Sequence, residues 1–332
     1  MIPSSPRGAV SAAGPVARRT APVITASIVT YRSSAVIASC VNALFRSTRR
    51  PLELVVFDNA SGDGTVDRLA PYSERIRLIR SHRNVGFGRG HNTALFRARE
   101  GYFLLLNPDV ELTPGSLDLL AAHLDGHPEC GAVAPRLAEG RDRKLGGFAL
   151  SYPGQRFLPV AWNRLPGRIA FLEGACVLVR SEIFRRIGGF DRRYFLYAEN
   201  LDLSLQIRRA GYTLECLGDV IVRHLGGYSE ASRTPCAVAF QKYGALLQFY
   251  DKNYPKAVTR RLVLRDLLRF SFRWSVQCLG VGAEAARKAD QYRGRLQAWN
   301  LFMGSQLRAR VRTSIPGRHR ERAYPLELPL SG

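Results

Sequence analysis

One uninterrupted apolar run does most to limit how this chain can fold. Residues 102–106 are five successive apolar residues, which is typical of a strand buried on both faces of a parallel sheet. The run stops at Asn107-Pro108-Asp109, because proline cannot donate to a sheet and keeps its predecessor extended. We therefore expect Asp109 just past the carboxyl end of the strand, where open parallel sheets bind ligands. Together with Asn107 it could hold a hard cation through oxygen atoms, or it could only form a turn before the next helix.

The segments around this run alternate between strand and helix patterns. Apolar and β-branched runs predict strands at residues 24–30, 52–57, 76–79, 102–106 and 130–134. Helices are predicted between them, with Ser33 or Ser34 as a cap for the first and Pro114 at the first position of another. A further helix is expected to run to about Arg99. This alternation predicts an α/β fold with a mostly parallel, doubly wound sheet.

The second half of the chain follows a less regular pattern. Residues 140–166 are rich in Arg, Gly and Pro and predict a long loop without regular elements. One strand is predicted at 171–179, short strands at 212–217 and 220–222, and helices at 181–187 and 199–210. Everything beyond Pro235 has a helical pattern. The predicted organisation is a flexible leader (1–22), a main domain (23–235, with halves 23–135 and 136–235) and a basic helical region (236–332).

The balance of charge points to an acidic partner. The chain has 49 Lys and Arg against 27 Asp and Glu, a formal net charge of +22, which suits nucleic acid, an anionic membrane surface or phosphorylated substrates. Helix-turn-helix, zinc-finger and RNA-binding signatures are absent from the sequence, so nucleic acid is the weaker prediction. No apolar run reaches the roughly 18 residues needed to span a membrane.

An arginine stripe in the last third of the chain could contact a membrane surface. Four arginines recur at every fourth position, along one face of the predicted helix. Apolar residues are predicted on the opposite face, which is typical of a helix lying in a membrane interface; the alternative is a helix packed on its own domain with a solvated basic face. The arginines are Arg261, Arg265, Arg269 and Arg273, and the apolar residues are Val263, Leu264, Leu267, Phe270 and Trp274.

The six cysteines stand singly without a C-x-x-C pair. This spacing favours buried free thiols in a reducing cytosol over disulfides or a zinc site. The first 22 residues lack the apolar core of a signal peptide. The predicted location is therefore cytoplasmic, on the inner face of the plasma membrane if the basic region binds lipid.

Several polar residues lie where predicted strands end or helices begin. Asp58 ends the second strand, where it could accept the imide N–H of uracil or thymine or form an Asx turn, and Thr30 and Tyr31 would line the same pocket. Glu199 and Asp202 fall in the first turn of a helix. The helix dipole is enough to explain carboxylates there, but one of them could also act as a general base.

A glycine-rich segment, GFGRG at 86–90, precedes a predicted helix. Its spacing and its position after the third strand do not match a dinucleotide fingerprint. It could direct backbone amides towards phosphate, or it could form a tight loop. The P-loop pattern is absent, which argues against an ATPase.

Six stretches, in this order, resemble family 2 glycosyltransferases of the GT-A fold, most closely the bacterial rhamnosyltransferase-like branch. The stretches are ASIVTYRS (26–33), LELVVFDNASGDGT (52–65), NVGFGRGHN (84–92), YFLLLNPDVEL (102–112), FLEGACVLVRSEIFRRIGGFDRRYFLYAENLDLSLQIRRAGY (171–212) and VIVRHLGG (220–227). The resemblance implies a dTDP- or UDP-linked sugar donor, for example dTDP-L-rhamnose, and Mg²⁺ or Mn²⁺. It also implies inversion at the anomeric carbon and a cell-envelope glycan or polyprenyl-diphosphate-linked sugar as acceptor.

The resemblance also assigns roles to individual residues. In the nucleotide-sugar site, Thr30 and Tyr31 line the pocket, Asp58 reads the base and Asn107 lies near the ribose. Asn107-Pro108-Asp109 stands where the family has its D-x-D motif, so Asp109 is implied as a metal ligand, completed by His224. Glu173, Gly174 and Asn200 are implied on the acceptor side.

One departure affects the catalytic base. The family usually has Glu-Asp where this chain has Glu199-Asn200, and the base is usually the second residue of that pair. Because an amide cannot accept a proton at neutral pH, Glu199 is predicted as the base, with Asp202 as the second candidate. A catalytically inactive protein that binds a glycolipid or a partner is the alternative.

Overall fold

The computed structural model describes residues 21–140, 144–158, 162, 164–226 and 233–313. The predicted leader up to residue 20, Gly227 and the region beyond 313 lie outside the described residues. In chain order the strands are β1 (Val23–Thr30), β2 (Leu52–Asp58), β3 (Ile76–Arg80), β4 (Gly101–Leu106), β5 (Val110–Glu111), β6 (Cys130–Glu139), β7 (Lys144–Gly146), β8 (Phe148–Ala149), β9 (Phe171–Leu172), β10 (Cys176–Arg180) and β11 (Thr213–His224). The helices are α1 (Ile37–Arg46), α2 (Thr65–Leu69), α3 (Phe87–Leu95), α4 (Ser116–Gly126), α5 (Ser181–Arg186), α6 (Glu199–Arg209), α7 (Pro235–Asn253), α8 (Lys256–Leu279) and α9 (Ala283–Thr313).

The main sheet joins a parallel half to a mixed half. Its strand order is β3-β2-β1-β4-β10-β6-β11-β5, with β7 paired to β6. Strands β1 to β4 are parallel to their neighbours within that group, as the alternation of strands and helices predicted. Strand β10 runs antiparallel to both β4 and β6, whereas β11 is parallel to β6. The α/β class is confirmed. The parallel arrangement, predicted for all strands up to about residue 135, holds for β1 to β4 but not for β6, which lies between antiparallel β10 and parallel β11.

Helices cover both faces of this sheet. A buried cluster on one face joins the sheet to α1, α2 and α4 through residues such as Leu44, Leu69 and Leu120. A second cluster, on α3, α5 and α6, includes Leu95, Phe184 and Leu203. Removing these apolar surfaces from water is the main force that holds the layers together.

The structure corrects the predicted strands of the second half. The predicted strand at 171–179 is two strands, β9 and β10, which pair with different partners. β9 pairs with β8 as far as Leu172, whereas the Ala175 carbonyl, just before β10, accepts a hydrogen bond from the Asn107 backbone N–H. The two short strands at 212–217 and 220–222 are one strand, β11, with a register shift between Leu217 and Ile221. The predicted loop at 140–166 contains β7 and β8, which pair with β6 and β9. Strand β5, only two residues long, was not predicted.

Three predicted helix boundaries are also wrong. Helix α4 begins at Ser116, since Gly115 has a left-handed backbone (φ +74°) that separates Pro114 from the helix. Helix α1 begins at Ile37 without a side-chain cap, so neither predicted serine caps it. Helix α3 ends at Leu95, four residues before the predicted end.

The C-terminal helices α7, α8 and α9 confirm the predicted helical extension, but they do not have a separate core. Their buried cluster includes Phe249 and Leu262 and continues into Tyr152 and Tyr194 of the preceding part of the chain. The Tyr254 hydroxyl donates to the Pro153 carbonyl at 2.6 Å. The domain boundary at residue 235 stays a prediction, and apolar packing crosses it.

Helix α8 exposes a different set of residues from the set predicted. Leu262, which is not part of the predicted apolar face, is fully buried, whereas Leu264 of that face is 57% exposed. The guanidinium groups of Arg261 and Arg265 lie 5.0 and 5.3 Å from the ring of Phe157, so this half of the stripe covers protein. Leu264, Leu268 and Phe272, at every fourth position, are all exposed.

The cysteines are free thiols, as their spacing predicted, but not all of them are buried. All six cysteines, each within the described ranges, are free thiols; Cys40, Cys130 and Cys176 are buried, whereas Cys278 is exposed. In the part of the chain that the structure describes, no helix combines the length and hydropathy needed to cross a bilayer.

Candidate active site

Adjacent parallel strands bring Thr30 and Asp58 together. The register of β1 and β2 pairs these two residues directly, and each is the last residue of its strand. The Thr30 hydroxyl donates to Asp58 Oδ1 at 3.0 Å, and the Ser61 amide donates to Asp58 Oδ2 at 3.3 Å. Asp58 is thus buried within a turn at the carboxyl edge of the sheet, and its contact with a base stays a prediction. Tyr31 follows directly and is half-buried.

Asn107 and Asp109 lie at the same edge of the sheet. Strand β4 is the other neighbour of β1, with Leu106 opposite Ile28. Because β1 separates β2 from β4, the carboxyl ends of β2 and β4 lie about 10 Å apart. The backbone N–H of Asn107 donates to the Ala175 carbonyl at 2.8 Å. The side-chain oxygen of Asn107 is buried without a hydrogen-bond partner among the described residues.

His224 connects Asp109 to a third acidic residue. It ends β11, where the register pairs it with Val110 on one side and with Glu139 on the other. Its Nε2 lies 3.5 Å from Asp109 Oδ1 and its Nδ1 lies 3.3 Å from Glu139 Oε1. Burial opposes protonation of the imidazole, but these two carboxylates outweigh it and hold the pKa of His224 above its ordinary value.

The donor atoms around Asp109 fit a divalent cation. Asp109 Oδ1 and His224 Nε2 face each other, and Nε2 is buried without a hydrogen bond to any residue that the structure describes. Two ligands of one small hexacoordinate ion lie about 3 Å apart, close to the separation of this pair. A carboxylate, an imidazole and the nearby Asn107 amide oxygen form a donor set that Mn²⁺ or Mg²⁺ accepts. These residues could therefore hold the predicted metal.

Glu139 was missed by the sequence analysis. It ends β6, which was predicted to stop at residue 134, and so it was assigned no position. The strand pattern continues past residue 134 through Leu137 to Glu139, and this continuation is the sequence signal that could have identified Glu139. Glu173, predicted on the acceptor side, lies near Glu139. Burial is the main cause that raises the pKa of Glu173, and repulsion from the Glu139 carboxylate raises it further. Glu173 Oε2 accepts a hydrogen bond from the Gly147 backbone N–H at 2.9 Å.

The other residues predicted on the acceptor side meet where α6 begins. The Asn200 amide donates to the Leu172 carbonyl at 3.0 Å. A Cβ atom on Gly174 would lie 3.3 Å from the Asn200 side chain, so glycine permits this close approach. Glu173, Gly174 and Asn200 therefore belong to one contiguous region, between the end of β9 and the start of α6.

Glu199 is a buried acid with an unpaired oxygen. It is 6% exposed, and its Oε2 has no hydrogen-bond partner among the described residues. Burial raises its pKa to about 7. The two preceding residues, Tyr197 and Ala198, both have left-handed backbones (φ +70° and +61°). Such conformations are costly for residues other than glycine and are concentrated at functional sites.

Asp202, one turn further along α6, has a very different environment. Its Oδ2 lies 2.6 Å from Lys252 Nζ, and its Oδ1 accepts from Asn253 at 3.0 Å. Lys252 also pairs with Asp191 at 2.7 Å. Asp202 is therefore a buried, neutralised carboxylate that joins α6 to α7. Of the two candidate bases, Asp202 is the one held by an ion pair with Lys252.

The glycine-rich segment contacts both halves of the site. A Cβ atom on Gly86 would lie 2.4 Å from the Phe195 carbonyl oxygen, to which the Phe87 amide donates at 2.9 Å. The Asn59 side chain, also missed from the sequence, accepts from the Val85 amide at 2.7 Å and donates to the Gly86 carbonyl at 3.2 Å. These contacts favour the tight-loop interpretation and link the Asp58 turn to the segment that leads into Glu199.

Comparisons with known proteins agree with the earlier resemblance. Residues 25–188 match the family model described as "Glycosyl transferase family 2". The N-acetylglucosaminyl-diphospho-decaprenol L-rhamnosyltransferase of Mycobacterium tuberculosis is 28% identical over 227 residues, which are 57% of this chain and 72% of the relative. Rhamnosyltransferase WbbL of Escherichia coli is 27% identical over 153 residues, 39% of this chain and 56% of that protein.

Two solved structures share the fold at low sequence identity. A mannosyltransferase from Pyrobaculum calidifontis, in complex with GDP-Man and Mn²⁺, has a TM-score of 0.53 and 18% identity, covering 87% of each chain. Residues 1–349 of S. aureus TarS, in complex with UDP-GlcNAc, have a TM-score of 0.52 and 15% identity, covering 86% of this chain and 92% of that one. The present chain therefore contains a glycosyl transferase family 2 domain with the α/β GT-A fold, and it is similar to bacterial rhamnosyltransferases.

Proposed function

We propose that this glycosyltransferase inverts the anomeric centre as it moves a sugar, L-rhamnose in the leading case, from a nucleoside diphosphate to a polyprenyl-diphosphate-linked sugar. The observation that carries the proposal is the meeting of Asp109 and His224, 3.5 Å apart, at the sheet edge that also holds Asp58. Similarity to the mycobacterial enzyme, whose name specifies a rhamnosyl group and a diphospho-decaprenol acceptor, supports the choice of substrates.

The donor is proposed to lie along the edge from β2 to β11. Asp58, with Thr30 and Tyr31 beside it, accepts the imide N–H of uracil or thymine, and Asn107 lies near the ribose. The diphosphate then reaches Asp109 and His224, which hold Mg²⁺ or Mn²⁺. When bound, the cation neutralises the negative charge that develops on the departing diphosphate.

Glu199 is proposed as the general base. Because its pKa is about 7, a large fraction is ionised near neutral pH while its basicity stays high. Its carboxylate accepts the proton of the acceptor hydroxyl as that oxygen attacks the anomeric carbon. The bond from this carbon to the diphosphate oxygen breaks as the new C–O bond forms on the opposite face, so the configuration inverts.

The acceptor is proposed to reach the protein from an anionic membrane, at the inner face of the plasma membrane. The exposed row of Leu264, Leu268 and Phe272 on α8 can enter the lipid interface. The chain's net charge of +22 adds electrostatic attraction to acidic lipids. A binding-only protein is the second candidate, and Asn200 is the observation that favours it, since the family usually has an acid there.

Nucleotide binding tests the donor site directly. With Mn²⁺ present, dTDP or UDP should raise the melting temperature of the protein, and Asp109→Asn should remove this protection. Transfer of rhamnose from dTDP-L-rhamnose should fall roughly 10³-fold in the same variant, because the lost ligand no longer holds the cation. Glu111→Gln is the matched control, because this nearby acid pairs with Arg223 at 3.1 Å. Full protection of Asp109→Asn by nucleotide and Mn²⁺ would refute the site.

A further inference from the structure

A groove rich in basic residues opens between α7, α8 and α9. Its volume is about 630 Å³, and its basic residues come from all three helices and from the residues just before α7. Asp266 is the one carboxylate among the described residues that line it. The basic residues are Arg233, Lys242, Arg265, Arg269 and Arg295.

The lining acid neutralises only part of this charge. Asp266 Oδ1 accepts from Arg265 Nε at 2.9 Å, and Asp266 Oδ2 accepts from the Tyr243 hydroxyl at 3.3 Å. The lining therefore has one carboxylate for five cations. Arg295 is half-buried, and its guanidinium lies 5.1 Å from the ring of Phe270, which restricts its orientation. Arginines held in this way suit a phosphate, because the guanidinium can donate two parallel hydrogen bonds.

Apolar side chains complete the lining of the groove. Val238, Leu246 and Phe270 lie among the basic residues. Helix α8, which contributes Arg269 and Phe270 to the groove, also carries the exposed apolar row that begins at Leu264. A ligand that fits this combination has a doubly charged anionic group joined to a hydrocarbon chain.

The groove adjoins the segment that positions the proposed base. Lys242, which lines the groove, has its Nζ 5.1 Å from the centre of the Tyr197 ring. Tyr197 is one of the two residues with a left-handed backbone directly before Glu199. An anion in the groove would therefore lie beside the end of the site where the acceptor hydroxyl is expected.

We propose that this basic groove binds the diphosphate of the isoprenoid-linked acceptor, with the first isoprene units along its apolar lining. The inference rests on the proposed function, since it names the part of the acceptor that the helical region holds. It also separates two tasks: Glu199 acts on the sugar hydroxyl, whereas the groove recognises the diphosphate and the lipid.

Binding of farnesyl diphosphate to the full chain in EDTA tests the groove without catalysis or metal. Arg269→Gln and Arg295→Gln should each weaken binding about tenfold, as expected for losing one charge-assisted contact. Arg269→Lys should weaken it less, since the charge remains. Arg260→Gln is the matched control, because this α8 arginine is exposed and does not line the groove. Unchanged melting temperatures would show that the variants are folded.

Turnover and lipid binding distinguish this inference from its rivals. The groove variants should raise KM for a GlcNAc-diphosphate-lipid acceptor in micelles, with kcat and nucleotide protection unchanged. If both variants bind farnesyl diphosphate as tightly as the unmodified protein and are still protected by dTDP or UDP with Mn²⁺, the groove proposal is overturned and the proposed donor site stays intact. Weaker binding to phosphatidylglycerol vesicles without any loss of farnesyl diphosphate affinity would also overturn it, in favour of a headgroup site. Farnesyl diphosphate binding that depends on Arg269 and Arg295, in a protein without nucleotide protection, would support the groove while refuting the donor site.

Discussion

The two halves of the candidate site hold their carboxylates in different ways. In the parallel half, Asp58 receives hydrogen bonds from Thr30 and Ser61, and its position follows from the register of two adjacent strands. In the other half, Glu199 is buried with an unpaired oxygen behind a left-handed backbone. The first arrangement suits a preformed binding site. The second suits a group that must exchange a proton, because burial raises the pKa of the acid and so keeps it a stronger base.

The same contrast recurs within one turn of α6. Glu199 has a pKa raised by burial to about 7, whereas Asp202 is paired with Lys252 and Asn253. If this difference decides their roles, Glu199 should control the rate of transfer and Asp202 should control stability.

The largest expected effect is on the rate of transfer. Glu199→Gln keeps the size of the side chain but removes the proton acceptor, so kcat should fall about 10³-fold with little change in donor KM. Asp202→Asn is the matched variant on the same helix and should retain most of the kcat. Steady-state kinetics with saturating donor and acceptor measure both. A large loss of kcat in a folded Asp202→Asn protein, with Glu199→Gln near normal, would reverse the assignment.

The free energy of unfolding should be supported by the carboxylate of Asp202 and not by that of Glu199, the opposite of the expected effect on kcat. Asp202→Asn leaves Lys252 without one of its two carboxylates in a mostly buried position, so unfolding free energy should fall by about 3 kcal/mol. Glu199→Gln should instead stabilise the protein at pH 8, by about 3 kcal/mol at most, because it removes a buried charge. Urea unfolding at pH 8 tests both changes. Destabilisation by Glu199→Gln at that pH would show that its carboxylate has a stabilising partner.

The pH dependence of these effects follows from the raised pKa of Glu199. Its folded-state pKa of about 7 exceeds the ordinary value of 4.5, so the stability gained by Glu199→Gln should grow from about pH 4.5 and level off above pH 7. Transfer needs the ionised form, so kcat should rise about tenfold per pH unit below 7 and then become constant. Asp191, Asp202 and Tyr194 are the titratable neighbours in this region. Asp202→Asn should leave the midpoint near 7, and a midpoint near 4.5 would contradict the proposed base.

The sequence predicted the parallel half better than the mixed half for a physical reason. Strands 24–30, 52–57 and 102–106 are apolar or β-branched runs followed by turn residues, so both their positions and their common edge follow from local patterns. The neighbours of Asp58 were therefore inferable. Glu139 was not, because its position depends on how far β6 continues beside β11, which is a pairing of residues about 85 positions apart.

The split of the predicted strand at 171–179 has the same cause. Locally, FLEGACVLV is a strand pattern with one glycine, but its two ends pair with different sheets. Burial in the C-terminal region was also hard to infer, since Leu262 lies against Gly154 in a cluster that includes Tyr152. In both cases the deciding contacts are distant in sequence.

The smallest expected effect tests the departure from the family pattern. Asn200→Asp restores the usual Glu-Asp pair, but the Asn200 amide donates to the Leu172 carbonyl, and a carboxylate cannot make this bond. We expect unfolding free energy to fall by about 1 kcal/mol and kcat to change less than about threefold, because the proposed base is Glu199. Asn200→Ala is the control for loss of the bond alone. A rise in kcat of tenfold or more in Asn200→Asp would mean that position 200 is where the acceptor proton is taken, and that burial alone does not make Glu199 the base.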